Sequence, residues 1–280
     1  MRRILKKDLS DAVSSLCAKA NFHLRKDIEA ALIRAIEDER SLQAKTLLRQ
    51  LLENAKVARE ECIALCQDTG MPVVFVDIGR DIDCSGVDMV GAVNLGVEKG
   101  YRRGFLRDSI VSDPLRRTGQ TKASPCVIHF NFTRRKDLKI TVFPKGFGCE
   151  NKTKLAMFNP TASIQEIRDF IVSVVREAGP DACPPYILGV GIGGTADYAC
   201  QLSKEALLRP INKRNALSHV AALENGLLKD INALNIGPMG LGGKTTCLGV
   251  NIETFATHIA GLPVCVNLSC HVLRSASVIL

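Results

Sequence analysis

A chain of 280 residues that is 46% apolar can bury a sizeable core unaided, so neither disulfides nor a structural metal is needed for folding. Its net charge of +8 is spread over short runs such as Arg2-Arg3, Lys6-Lys7, Arg116-Arg117 and Arg134-Arg135-Lys136. With 5% aromatics and no Trp there is no stacking platform beside those runs, which argues against nucleic-acid binding and fits an anionic substrate or an acidic partner subunit.

The opening MRRILKKDLSDAV lacks the apolar run of a secretory signal, and no window holds the roughly 20 apolar residues of a bilayer span, so the expected location is the cytoplasm. Leu9, Ala12, Val13, Leu16, Cys17 and Ala20 recur at helical spacing, and similar stripes predict three successive helices over residues 8–60. The third is expected to end at Cys66, in the turn Gln67-Asp68-Thr69-Gly70. MPVVFVDIG (71–79) is a β-branched run bounded by glycines and predicts a buried strand. Helical spacing returns over 85–104. CVIHFNF and KITVFPKG, separated by TRRKDL, read as an antiparallel hairpin. Ser163-Ile164-Gln165-Glu166 is a capping box opening a helix with Ile167, Ile171, Val174 and Val175 on one stripe, ending near Gly179-Pro180. The strand YILGVGIGG, a helix from Thr195 to about Leu208, a helical segment around 214–232 and the strands TTCLGVNIE and LPVCVNLSC complete the chain. The fold expected is α/β, a helical N-terminal layer followed by a mixed sheet with helices, in one domain over residues 1–280.

GVGIGGT (189–195) satisfies the dinucleotide pattern G-x-G-x-x-G after a strand and before a helix. A dinucleotide-binding unit also needs an acid ending a second strand about 20 residues on. Here the chain is still in QLSKEALLRP, so a dinucleotide-binding oxidoreductase domain is the remote alternative. The glycines are instead expected to let a helix N-terminus approach a bound anion or cofactor.

Eleven cysteines in a reducing compartment argue against a disulfide framework. Cys62-x3-Cys66 has no second pair at finger spacing, so structural zinc is not expected. Cys17, Cys84, Cys126, Cys200, Cys247 and Cys265 fit packing inside elements. Cys66, Cys183, Cys270 and Cys149 fall at loops or element ends, where ligands from distant parts of a chain can converge. Spacing does not choose among them.

CQDTGMPVVFVDIG, PKGFGCENK, AGPDACPPYILGVGIGGTADYACQLSKEAL, GPMGLGGKTT and THIAGLPVCVNLSCH, in this order, resemble the alpha subunit of the two-subunit iron-sulfur hydro-lyases, the class I fumarate hydratases and L-tartrate dehydratases. The resemblance runs from about residue 10 to the C-terminus. It implies a 4Fe-4S cluster on Cys66, Cys183 and Cys270 with one iron left without a protein ligand; soft thiolates suit such clusters, and an open iron is a Lewis acid. It further implies that Gln67 binds a substrate carboxylate and that Asp68 transfers a proton together with a group of the partner. The ordinary alternative for Asp68 is a turn residue bonded to its own backbone.

Arg107, in GFLRDSIVSDP, matches an arginine that clamps a carboxylate, the alternative being a surface arginine. His258 matches a histidine near the substrate, with a satisfied structural histidine as alternative. His271 is a candidate for orienting the site. Lys244 of GGKTT resembles part of a phosphate loop without its full glycine spacing. Cys62 is assigned to packing.

One block departs from the pattern. Where the family writes Lys-Gly-Gly-Gly-Ser-Glu, this chain has Lys145-Gly146-Phe147-Gly148-Cys149-Glu150, which restricts a backbone whose Gly146 and Gly148 are the candidates for carboxylate binding and argues against Cys149 as a ligand. The chain stops ten residues after Cys270, so the expectation is an alpha subunit that needs a beta subunit, assembled as a heterotetramer. The reaction expected is reversible hydration of fumarate to L-malate, with L-tartrate to oxaloacetate as the alternative.

Overall fold

The computed structural model describes residues 2–280. In chain order the elements are β1 (Arg2–Arg3), α1 (Lys6–Phe22), α2 (Lys26–Asp38), α3 (Leu42–Glu60), β2 (Met71–Gly79), β3 (Ile82–Asp83), α4 (Met89–Arg103), β4 (Val127–Thr133), β5 (Leu138–Lys145), α5 (Phe147–Glu150), β6 (Lys154–Phe158), α6 (Ile164–Ala178), β7 (Tyr186–Gly194), α7 (Ala196–Leu208), α8 (Ser218–Asn232), β8 (Cys247–Thr257), β9 (Leu262–Ser269) and β10 (Ala276–Ile279). The expected α/β class is what the structure shows. Its contacts fall into two compact units, one of Met1–Leu24, Asn54–Phe147 and Arg274–Leu280, the other of Arg25–Glu53 and Gly148–Leu273. Among the described residues, no helix is long and apolar enough to cross a membrane.

In the first unit the main sheet has the order β10-β5-β2-β4. β2 sits inside it because Val73, Val74, Phe75 and Val76 are buried on both faces, each fully buried valine contributing about 1.5–3 kcal/mol. The helical stripe of α1 is buried as predicted, Leu9, Val13 and Cys17 all having no exposed surface, and α1 packs on α4 and β5.

Two expectations are corrected here. β4 and β5 do not form a hairpin: β2 lies between them, parallel to β4 and antiparallel to β5, with Val74 opposite both Ile128 and Val142. The most apolar strand takes the centre, and the half-exposed β4 is left at the edge. The third helix stops at Glu60, where the span 8–60 puts it, so Cys66 lies six residues beyond a helix end and not at one. Cys62 adopts a left-handed φ of 52°, which breaks the helical ladder, and Leu65 then turns into the core at 4% exposure. Cys62 is exposed, so it is not a packing residue.

The second unit has a sheet of order β6-β9-β7-β8, with β7 parallel to β8 and antiparallel to β9. The capping box forms as read: Ser163 accepts from the Glu166 N–H, and Glu166 reaches back to the Ser163 N–H at 2.7 Å. Ile167, Ile171, Val174 and Val175 of α6 are buried in the core of this unit. GVGIGG lies inside β7 rather than in a loop after it, so most of its backbone is committed to pairing with β8 and β9. A Cβ on Gly189 would stand 2.0 Å from the Ser203 carbonyl oxygen, and one on Gly191 2.1 Å from that of Ala199. These glycines seat α7 on the sheet. Gly193 and Gly194, at φ +96° and +68°, carry the chain from the strand to Thr195, the residue before α7.

Candidate active site

In the first unit, Cys66, Gln67 and Asp68 lie in the irregular segment leading into β2, with Gln67 exposed and its two neighbours half-buried. The turn is fixed through its main chain. Asp68 Oδ1 accepts from the Gly70 N–H at 3.0 Å, the bond of an Asx turn, and Oδ2 accepts from the Phe147 N–H at 2.9 Å. Both the turn role and a link to the glycine-containing loop are therefore present. Carboxylate oxygens have further lone pairs, so Asp68 keeps acceptor capacity for a ligand. Gly70, at φ +76°, sits against the end of β5, where a Cβ would lie 2.9 Å from Lys145 N.

Three more side chains grip this turn. The buried Tyr101 hydroxyl reaches the Thr69 and Gly70 carbonyls at 2.9 and 3.0 Å. Burial raises that phenol above its ordinary range, so it stays a neutral donor. The Thr69 hydroxyl donates to the Arg107 carbonyl at 2.9 Å, which places the exposed Arg107 beside the turn. Arg274, 4% exposed, donates from Nη2 to the Asp68 carbonyl. A Cβ on Gly146 would be 3.3 Å from Asp68 Oδ2 and 3.9 Å from Arg274 Nη2, so Asp68, Gly146, Phe147 and Arg274 form one cluster.

In the second unit, Cys183 is exposed and held at φ +58°, a backbone state that costs a non-glycine residue of order 1–3 kcal/mol and that Cys62 also adopts. Neutral donors brace its loop. The Cys149 thiol donates to the Ala182 carbonyl at 3.2 Å, the Tyr186 hydroxyl to that of Gly179 at 2.6 Å, and the Met239 N–H to that of Pro184 at 2.7 Å. His271 Nδ1 lies 3.1 Å from the Cys183 carbonyl oxygen; a carbonyl only accepts, so Nδ1 carries the proton. Because His271 follows Cys270 directly, its ring ties the segment of one expected ligand to that of another.

His258 is elsewhere. It follows β8, on the short connection to β9, where Thr257 Oγ1 bonds the Gly194 carbonyl at the far end of β7. Ile187 pairs with Ser269 and Gly194 with Thr257, so Cys270 and His258 stand at opposite ends of β7, about 20 Å apart along the strand. His258 is exposed, and its Nδ1 accepts from the Ala260 N–H at 3.1 Å, which leaves the neutral ring's proton on Nε2. Gly148 is exposed in α5 with open space where a Cβ would stand. Lys244 does not open a phosphate loop: its N–H is bonded to the buried Glu39 carboxylate at 2.7 Å.

The eleven cysteines form no disulfide. Burial pushes the thiols of Cys126, Cys247 and Cys265 up to about 12, and that of Cys17 higher still. Thiols so raised stay protonated and are poor ligands, whereas Cys66, Cys183 and Cys270 are all at least partly exposed. By exposure and by the chemistry of a thiol, each of these three is suited to bind iron, whereas the four raised thiols are not.

Two of the contributing residues escape a sequence reading. Tyr101 has no motif around it. Arg274 had one usable signal, a lone arginine in the apolar text HVLRSASVIL.

A profile of the family described as fumarate hydratase (fumerase) matches residues 10–279. The chain is 40% identical over 273 residues to the putative L(+)-tartrate dehydratase subunit alpha of Methanocaldococcus jannaschii, which covers 96% of each chain. It is 28% identical over 275 residues to the L(+)-tartrate dehydratase subunit alpha of Escherichia coli strain K12, covering 97% of this chain and 90% of that one.

Proposed function

Because the chain belongs to the fumarate hydratase (fumerase) family, we propose that it is the alpha subunit of a two-subunit hydro-lyase that reversibly hydrates fumarate to L-malate. The observation that carries the reading is the His271 ring, which joins the Cys183 loop to the segment of Cys270. Cys66, Cys183 and Cys270 would hold a 4Fe-4S cluster, which when bound supplies Lewis acidity toward the hydroxyl and carboxylate of a 2-hydroxy acid.

This chain's own residues do the rest. Gln67, exposed beside the turn, offers its amide N–H groups to a substrate carboxylate, and the Arg107 guanidinium can clamp one with two parallel bonds. Asp68 carries a proton to or from the substrate carbon in concert with a group of the beta subunit, its carboxylate held in place by the Gly70 and Phe147 N–H groups. In the hydration direction, water supplies hydroxide to one alkene carbon and a proton to the other. His258, with its proton on Nε2, lies too far along β7 to share the site of Cys270 in its own chain, so a second alpha chain would have to supply it, in keeping with a heterotetramer.

L-tartrate is the second reading, favoured by the names of the two relatives above. Anaerobic co-expression with a beta-type partner tests both. A brown complex that bleaches in air, regains colour with iron, sulfide and thiol, and turns over fumarate faster than L-tartrate is the expected outcome. The reverse preference would move the assignment to tartrate, and a colourless complex with neither activity would sink it.

A further inference from the structure

Arg274 presents an energetic puzzle. A guanidinium at 4% exposure is costly to take from water unless its five N–H groups find partners, yet Nη1 is buried without a hydrogen bond. The bonds it does make both go to main-chain carbonyls, from Nη2 to Asp68 and from Nε to Pro144 at 3.5 Å. Those carbonyls belong to the two segments that the Asp68 carboxylate itself joins by accepting from Phe147 N. Gly70 closes against the same stretch of β5. One face of the fork therefore spans the turn 67–70 and the loop 144–147.

We infer that Arg274 is a positioning residue for Asp68: its planar fork fixes the distance between the turn that carries the carboxylate and the loop whose N–H holds it. The inference rests on the reading of Asp68 as the proton-transferring group. The fork matters rather than the charge alone, because a lysine ammonium is a point donor that cannot reach two carbonyls in a fixed plane. Gly146 lies within this frame, near both Asp68 Oδ2 and Arg274 Nη2, so any slackening of the fork moves the carboxylate relative to the loop.

The test uses the alpha–beta complex with wild-type alpha chain, Arg274→Lys and Arg274→Met. Amide hydrogen exchange at Gly70 and Phe147, the two donors to Asp68, is expected to quicken roughly tenfold or more in both variants, with β7 and β9 unchanged. Turnover is expected to show kcat down about tenfold or more at nearly constant KM, the mark of a misplaced group rather than lost substrate binding. Unchanged exchange at Gly70 and Phe147 overturns the inference. So does faster exchange spread evenly over β2, β4, β5 and β10, which would make Arg274 a support of the sheet, and so does full rescue by lysine, which would leave charge alone as its role. If the wild-type complex hydrates neither fumarate nor L-tartrate, the hydro-lyase reading fails by itself, and the exchange measurement still decides whether the fork holds the turn.

Discussion

The Asp68 turn and the Cys183 loop are both short irregular segments that leave a reactive side chain at least partly exposed while their carbonyls are captured from behind. They are built from different donors. Around Asp68 the grip comes from a buried cation and a buried phenol, Arg274 and Tyr101, each reaching in from a distant part of the chain. Around Cys183 it is shared among a thiol, an imidazole, a phenol and a backbone N–H, all neutral or able to be so. A buried charge gives strong, directional bonds but has no tolerance for substitution, whereas a set of neutral bonds worth about 1 kcal/mol each fails gradually. The turn is thus expected to respond to single changes sharply, and the loop by degrees, except where the sulfur proposed to bind the cluster is itself lost.

That contrast can be broken in order of size. Cys183→Ser should abolish iron retention in the anaerobically reconstituted complex, read by iron per chain and visible absorbance; a serine complex that keeps its colour removes Cys183 from the ligand set. His271→Ala should weaken iron retention about 10–100-fold, as loss of an orienting partner does, and His271→Gln should restore part of it. Tyr101→Phe leaves the Thr69 and Gly70 carbonyls without their donor and should cost about 1–3 kcal/mol in chemical denaturation, against about 1 or less for Cys149→Ser, which keeps a donor to Ala182.

Thiol chemistry sharpens the sorting of cysteines. At pH 8, iodoacetamide should label Cys62 and Cys183 on the metal-free chain while sparing Cys126, Cys247 and Cys265, whose thiols, raised to about 12, gain reactivity only as pH climbs toward that value. Smallest of all, Cys62→Ala should change stability by no more than about 0.5 kcal/mol and leave iron content alone.

Legibility followed how local the determining forces are. β2 and β7 begin and end where glycine boundaries and apolar runs put them, and the Ser163 capping box formed because its partners are three residues apart. The supposed hairpin failed because adjacency in sequence lost to the more apolar β2, a competition between strands that no local window contains. Asp68, Gln67 and Arg107 were named from a motif, and the Thr69 bond brings the Arg107 backbone to their turn. Arg274 went unnoticed because what defines it is a carbonyl 206 residues away. The position of His258 was equally out of reach, since only the register of β7 with β8 and β9 puts it at the other end of the strand from Cys270.

The separation of Arg274 from Asp68 also sets an order of events during synthesis. A ribosome adds roughly 5–20 residues per second, so the turn waits about 10–40 s, the time for 206 further residues, before its clasp exists. Through that interval the first unit can gather its helices and β2, while the Asp68 carboxylate has only the Gly70 and Phe147 N–H groups to hold it. The clasp on the turn is thus among the last contacts a nascent chain can make, arriving together with β10, which adds the edge strand beside β5.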